Sequence, residues 1–201
     1  KMALFWHGHF ATHENKVRDY RKMLQQIDLF EKGATGSIRD LAIKVAQNPA
    51  MLYFLDAQYN VKGAANENFA REVMELFTMG VGNYTEKDVR ECARAFTGWY
   101  FDDLAFKVNP AKHDDTPKTF LGRTGNFDGV EVLKIIFEQP VTAEYLATKI
   151  YRFLVRDEVS PTLRKQLGDV LRKADFQVKP LLTAIFSSKD FYSSASYGGH
   201  I

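Results

Sequence analysis

A mainly α-helical protein is what this sequence predicts, and three observations predict it. Apolar residues recur at three- and four-residue steps along most of the chain. Ser, Thr, Asn or Asp stand just ahead of those stripes, and Gly or Pro punctuates their ends. Strand-like runs are confined to residues 99–129. The expectation is one α-helical domain over residues 1–201, read as a fragment of a longer chain. It should hold about seven to nine helices, with a small irregular β-hairpin insert near 99–125.

Met2, Phe5, Trp6, His9, Phe10 and His13 form the first stripe. Val17, Tyr20, Met23, Leu24, Ile27, Leu29 and Phe30 extend the helical pattern to about Glu31. Gly33 and Gly36 break it. Ser37, with Asp40 three residues on, is an N-cap followed by an acidic first turn. That helix stops at Asn48, which caps the next one, with Pro49 at its first position. After the polar loop "NVKGAAN", the run "NENFAREVMELFTMG" puts Phe69, Val73, Leu76 and Phe77 on one face and closes at Gly80. Thr85 and Asp88 open the following helix, whose stripe is Val89, Cys92, Ala93 and Phe96. Residues 99–129 carry two prolines, an "HDD" triplet and short β-leaning runs, the pattern of a hairpin insert. Helices return as "VEVLKIIFEQ", "TAEYLATKIYRFLV", "SPTLRKQLGDVLRKADF" and "KPLLTAIFSSKDFY". The tail "SSASYGGHI" reads as a frayed end.

Hydrophobic residues make up 45% of the chain and charged ones 26%, as in an ordinary globular protein. A formal net charge of +2 is too small to argue for nucleic acid. No apolar run approaches the roughly 20 residues that span a bilayer, so membrane insertion is not expected. The single cysteine, Cys92, forbids an internal disulfide and a multi-cysteine zinc site. It falls on an apolar stripe and reads as inert core.

Chemistry has three candidate locations. His7, His9 and His13 crowd into "FWHGHFATH" beside Trp6 and Phe10. His9 and His13, four apart, share a helix face as paired zinc ligands do, but Phe10 stands where such a motif needs its glutamate. His7 points about 200° away from His9 on a helix, so the set is not expected to hold a metal, and no cofactor is expected. Trp6 and Phe10 should enter the core, and His9 should follow them inward to a carboxylate or backbone carbonyl on the "NENFARE" helix. In that helix Glu72 and Glu75 lie one turn apart, with Asn68 and Arg71 near. Paired carboxylates hold a cation or share a proton; helical ion pairs on a solvated face explain the same pattern. Glu72, at the margin of the apolar face, should have a partner. The third location is the insert, where His113, Asp114, Asp115 and Lys118 form either a functional loop or a self-bonded turn.

The blocks "FWHGHFAT", "NPAMLYFLD", "NENFAREVMELFTMGVGNYTEKDVRECARAFTGW", "HDDTPKTFLGRTGNFDG" and "ATKIYRFLV" resemble, in that order, the bacterial domain-of-unknown-function family numbered eighteen hundred. The resemblance implies that the chain is the C-terminal portion of an exported parent, whose missing N-terminal part would be its partner. It singles out Trp6, His7, His9 and Phe10; Asn66, Glu67, Asn68, Arg71, Glu72 and Glu75; Arg94 and Trp99; and His113, Asp114, Lys118 and Gly122. His13 falls outside the motif. The family has no established reaction. The leading expectation is a binding or scaffold module with a polar network, in which Trp6, His7, His9, Asn68, Trp99 and Lys118 serve binding. The alternative is a hydrolase, with or without a metal. It would use Glu72 or Glu75 as base, His9 or His113 as acid or ligand, Arg71 to orient an anionic group, and Asp114 beside His113.

Overall fold

The first stripe does not run through as one helix. In the computed structural model, which describes residues 1–196, α1 (Met2–His9) ends as Phe10 leaves the helical region at φ −99°. His13 then caps the short α2 (Glu14–Val17), its Nδ1 accepting the Asn15 N–H at 3.1 Å. Arg18 adopts φ 50°, and Asp19 caps α3 (Tyr20–Gly33). An Asp ahead of a new stripe is a start signal that the apolar periodicity masks. The same cap turns α3, so that Lys22, Gln26 and Phe30 face inward while Tyr20, Leu24 and Ile27 are exposed.

The remaining helices follow their caps. Ser37 caps α4 (Ile38–Ala46) and Asn48 caps α5 (Pro49–Phe54). Asn66 caps α6 (Glu67–Glu72), which runs on as a π-helical turn over Val73–Thr78. Thr85 and Asp88 form a reciprocal capping box on α7 (Glu86–Ala95), and Asp128 and Glu131 form another on α8 (Gly129–Glu138). Then come α9 (Pro140–Leu154), α10 (Pro161–Lys173) and α11 (Val178–Phe186). Eleven α-helices among the described residues exceed the expected count, chiefly because the first stripe divides into three.

The insert holds two antiparallel hairpins: β1 (Trp99–Asp102) with β2 (Ala105–Val108), and β3 (Lys118–Phe120) with β4 (Arg123–Gly125). The chain between the hairpins folds back against Gly98. That residue sits at φ +78°, and a Cβ there would stand 2.6 Å from the Asn109 carbonyl oxygen. One continuous set of buried apolar residues runs from Met2 to Ile185 and draws on α1 and α3 to α11. Two strand-like bonds tie its ends, from Ile38 N–H to the Phe176 carbonyl and from Val178 N–H to the Gly36 carbonyl, each 3.0 Å. No described helix is long and apolar enough to cross a membrane. The end of the tail read as frayed, residues 197–201, lies outside the described residues.

Candidate functional site

Trp6 and Phe10 are wholly within the core, and Trp6 donates its indole N–H to the Ala34 carbonyl at 2.9 Å. His9 is buried between Phe5, stacked on it, and Phe10 and Trp6, edge-on. Its Nε2 lies 3.0 Å from the carbonyl oxygen of Phe77. A carbonyl only accepts, so Nε2 carries the proton and Nδ1 is left bare, buried and without a partner among the described residues. Burial, with Lys149 nearby, pulls the imidazole pKa down to about 3, so the ring is neutral. His7 is half-buried against the edge of Phe30, and His13 is exposed.

Phe77 lies in the π-helical turn, and that turn explains why His9 is needed. Met79 N–H reaches five residues back, to the Met74 carbonyl at 2.9 Å. Carbonyls at this helix end take side-chain donors. Val73 receives the Thr78 hydroxyl at 2.6 Å, Leu76 the Tyr145 hydroxyl at 3.0 Å, and Phe77 the His9 ring. The π-turn also rotates Leu76 outward, so the residue read as core is exposed.

Arg71, Glu72 and Glu75 occupy the outer side of this element, half-buried. Arg71 donates through both Nη atoms to Glu86, at 2.9 and 2.7 Å, and to Glu67 at 3.2 Å. Tyr84 donates its hydroxyl to Glu75 at 2.6 Å. The partner expected for Glu72 is missing: no described donor bonds it, because Arg71 turns to Glu86 and Tyr84 to Glu75. Burial, and then the charge of Glu75, raise the Glu72 carboxyl above its ordinary value. A raised carboxyl destabilises the fold as pH rises through its folded value. Glu72→Gln is therefore expected to be neutral to slightly stabilising at pH 7, within about 0.5 kcal/mol, with no gain at pH 4. A urea-melt loss of more than about 1 kcal/mol at pH 7 would mean that the carboxylate has a structural partner. Asn68 is exposed and donates to the Leu55 carbonyl at 3.2 Å.

The insert residues form a separate network on α7. Arg94 donates Nε to Asp114 at 2.8 Å, Nη1 to Glu91 at 2.8 Å, and Nη2 to Thr116 Oγ1 at 2.5 Å. Asp114 also accepts the Thr116 N–H, and Arg94 holds its carboxyl well below the usual carboxylate range. Lys118 is 1% exposed, yet its Nζ finds the Asp114 carbonyl at 2.6 Å, the Thr116 carbonyl at 3.0 Å and Asn126 Oδ1 at 3.4 Å. All three ammonium protons are thereby satisfied. The outer edge of β3 and the turn after it bond to acids of α7, Thr119 N–H to Glu91 at 3.0 Å and Leu121 N–H to Asp88 at 2.9 Å. His113 Nδ1 bonds the Thr97 carbonyl at 2.9 Å, and Thr97 Oγ1 accepts the Asp114 N–H at 2.7 Å. Trp99 is buried edge-on to Phe96 and Phe106.

Both networks join elements distant in sequence, α1 to the π-turn and α7 to the insert. The model of the family described as "Protein of unknown function (DUF1800)" matches residues 1–201. The chain belongs to this family. No curated protein and no solved structure matches it. Within the DUF1800 blocks, His9 serves the π-turn while His113 and Asp114 serve the clamp on α7; none of them bonds Glu72 or Glu75. Among the described residues, no three His, Cys, Asp or Glu side chains stand together as a metal would require. Sequence reasoning missed Thr97, Glu91 and Tyr145 as network members. Each is an ordinary polar residue near a helix end or on a helix face, and only the distant backbone it meets gives it a role.

Proposed function

We propose that this DUF1800 chain is a binding module, one α-helical domain in which the motif residues hold the scaffold instead of performing chemistry. A single observation carries the reading: the most deeply buried polar motif groups, His9 Nε2 and Lys118 Nζ, end on the protein's own carbonyls. A general acid or base must reach a substrate proton, and groups committed in this way do not. Buried side-chain bonds to distant backbone carbonyls fix one packing of helices, which suits a rigid platform for a ligand.

A hydrolase reading has one observation in its favour, the unpartnered and raised Glu72 beside Glu75 on the half-exposed side of α6. One experiment separates the two. The protein is screened by thermal melting against small anions and saccharides, with chromogenic esters, phosphoesters and glycosides assayed in parallel. Binding without turnover is the expected result. Turnover abolished by Glu72→Gln or Glu75→Gln would replace the binding reading with the hydrolase.

A further inference from the structure

A groove of about 400 Å³ opens where the loop after the π-turn meets α9 and the start of α10. Its size falls in the range of small-molecule sites. Tyr145, Thr148, Lys149 and Arg152 line it from α9, Gly80 from the loop, and Arg164 from α10. The α9 positions are spaced three, four and seven apart from Tyr145, so they share one helix face. Gly80 brings the loop against that face. At φ +81°, it has room for no Cβ, which would stand 2.8 Å from the Tyr145 ring.

The groove is electrostatically unbalanced. Arg164 lies 3.3 Å from Glu144, but among the described residues neither Lys149 nor Arg152 has a carboxylate within ion-pair distance. Arg152 spends its Nε on the Asp157 carbonyl at 3.0 Å, and Lys149 Nζ lies over the Tyr145 ring, 5.1 Å from its centre. Two like charges one turn apart repel each other, and the half-buried Lys149 also loses hydration with no carboxylate beside it among the described residues. Thr148 is an independent sign. It is 8% exposed in the groove wall, and among the described residues its Oγ1 has no hydrogen-bond partner. A buried hydroxyl left unbonded is unfavourable unless something completes it. The N-terminus of the thirteen-residue α10, entered through Val159 and Pro161, borders the same space and adds its positive end.

We infer that this groove binds the tetrahedral oxyanion of a small organic phosphate or sulfate, with Lys149, Arg152 and Thr148 as its recognition residues. An oxyanion supplies the missing countercharge, and phosphate and sulfate present several acceptor oxygens to donors that converge from different elements. The apolar edges at Met79, Val81 and Val159 leave room for the organic part. The inference rests on the binding-module reading and names its ligand class.

Isothermal titration calorimetry with inorganic phosphate, inorganic sulfate and acetate, at matched ionic strength, tests it. Saturable binding of phosphate, sulfate or both is expected, with none for acetate. Phosphate alone assigns a phosphoryl ligand and sulfate alone a sulfuryl one. Lys149→Met should weaken binding about tenfold, the loss of one charge-assisted bond. Thr148→Val, which keeps the side-chain shape, should weaken it severalfold. Circular dichroism melts of both variants confirm folding, and Arg152→Gln, more exposed, serves if Lys149→Met does not fold. No saturable heat with either anion, equal binding of acetate, or unchanged affinity in the folded variants would each overturn the inference. None of those results bears on the choice between binding and hydrolysis, which the turnover assays decide separately.

Discussion

His9→Ala is expected to cost the fold about 3–5 kcal/mol, the range for emptying a ring-sized space in a packed core. The ring is held by Phe5, Trp6, Phe10 and Phe77, and its removal also leaves the Phe77 carbonyl without a donor at the π-turn. Urea melts followed by tryptophan fluorescence report the loss directly, because Trp6 packs edge-on against the ring. A pH dependence accompanies it. The imidazole titrates at about 3 in the fold against 6.5 as a free side chain, so the unfolded chain binds the extra proton between those values. Stability should therefore fall as pH drops from about 6.5 towards 3, at up to about 1.4 kcal/mol per pH unit. His9→Phe keeps an aromatic ring and removes the titration, and should flatten that slope. An unchanged slope in His9→Phe would assign the acid sensitivity to another group.

Arg94→Ala is expected to cost about 2–4 kcal/mol, because it strands the buried Asp114 and opens the clamp between α7 and the second hairpin. Arg94→Lys should recover little. One ammonium does not reproduce the planar fork that reaches Asp114, Glu91 and Thr116 together. The acid limb provides a second readout. Asp114 titrates in the fold below its ordinary 3.8, so its contribution is present above that value and is lost as pH falls through the folded one. Without Arg94, that loss should begin at higher pH. Equal melting curves for wild type and Arg94→Ala from pH 2 to pH 7 would remove Arg94 from the clamp.

How much of this was legible beforehand differs from residue to residue. Ser37, Asn48, Thr85 and Ser160 cap their helices as their spacing predicts, because a cap bond joins groups two or three residues apart. Trp6, Phe10 and Cys92 are core as their stripes predict, and His9 meets a carbonyl on the element that "NENFARE" begins. Leu24 and Leu76 read as core and are exposed. Periodicity assumes an unbroken 3.6-residue turn, and the Asp19 cap and the π-turn each reset the phase.

Local chemistry, then, was enough for the helical class, most helix starts, the position of the insert and the residue blocks that place the chain in its family. Tertiary structure alone decided which polar residues are spent. Whether Lys118 is a free cation or a sealed one depends on the carbonyls of Asp114 and Thr116 and the Asn126 side chain folding around it. Whether Lys149 has a countercharge depends on what α10 and the Gly80 loop bring near it. Charges and hydrogen bonds act over a few ångströms in space, and the residues that meet across those ångströms lie far apart in the chain, 69 positions for Tyr145 and Leu76 and 136 for Arg39 and Asp175.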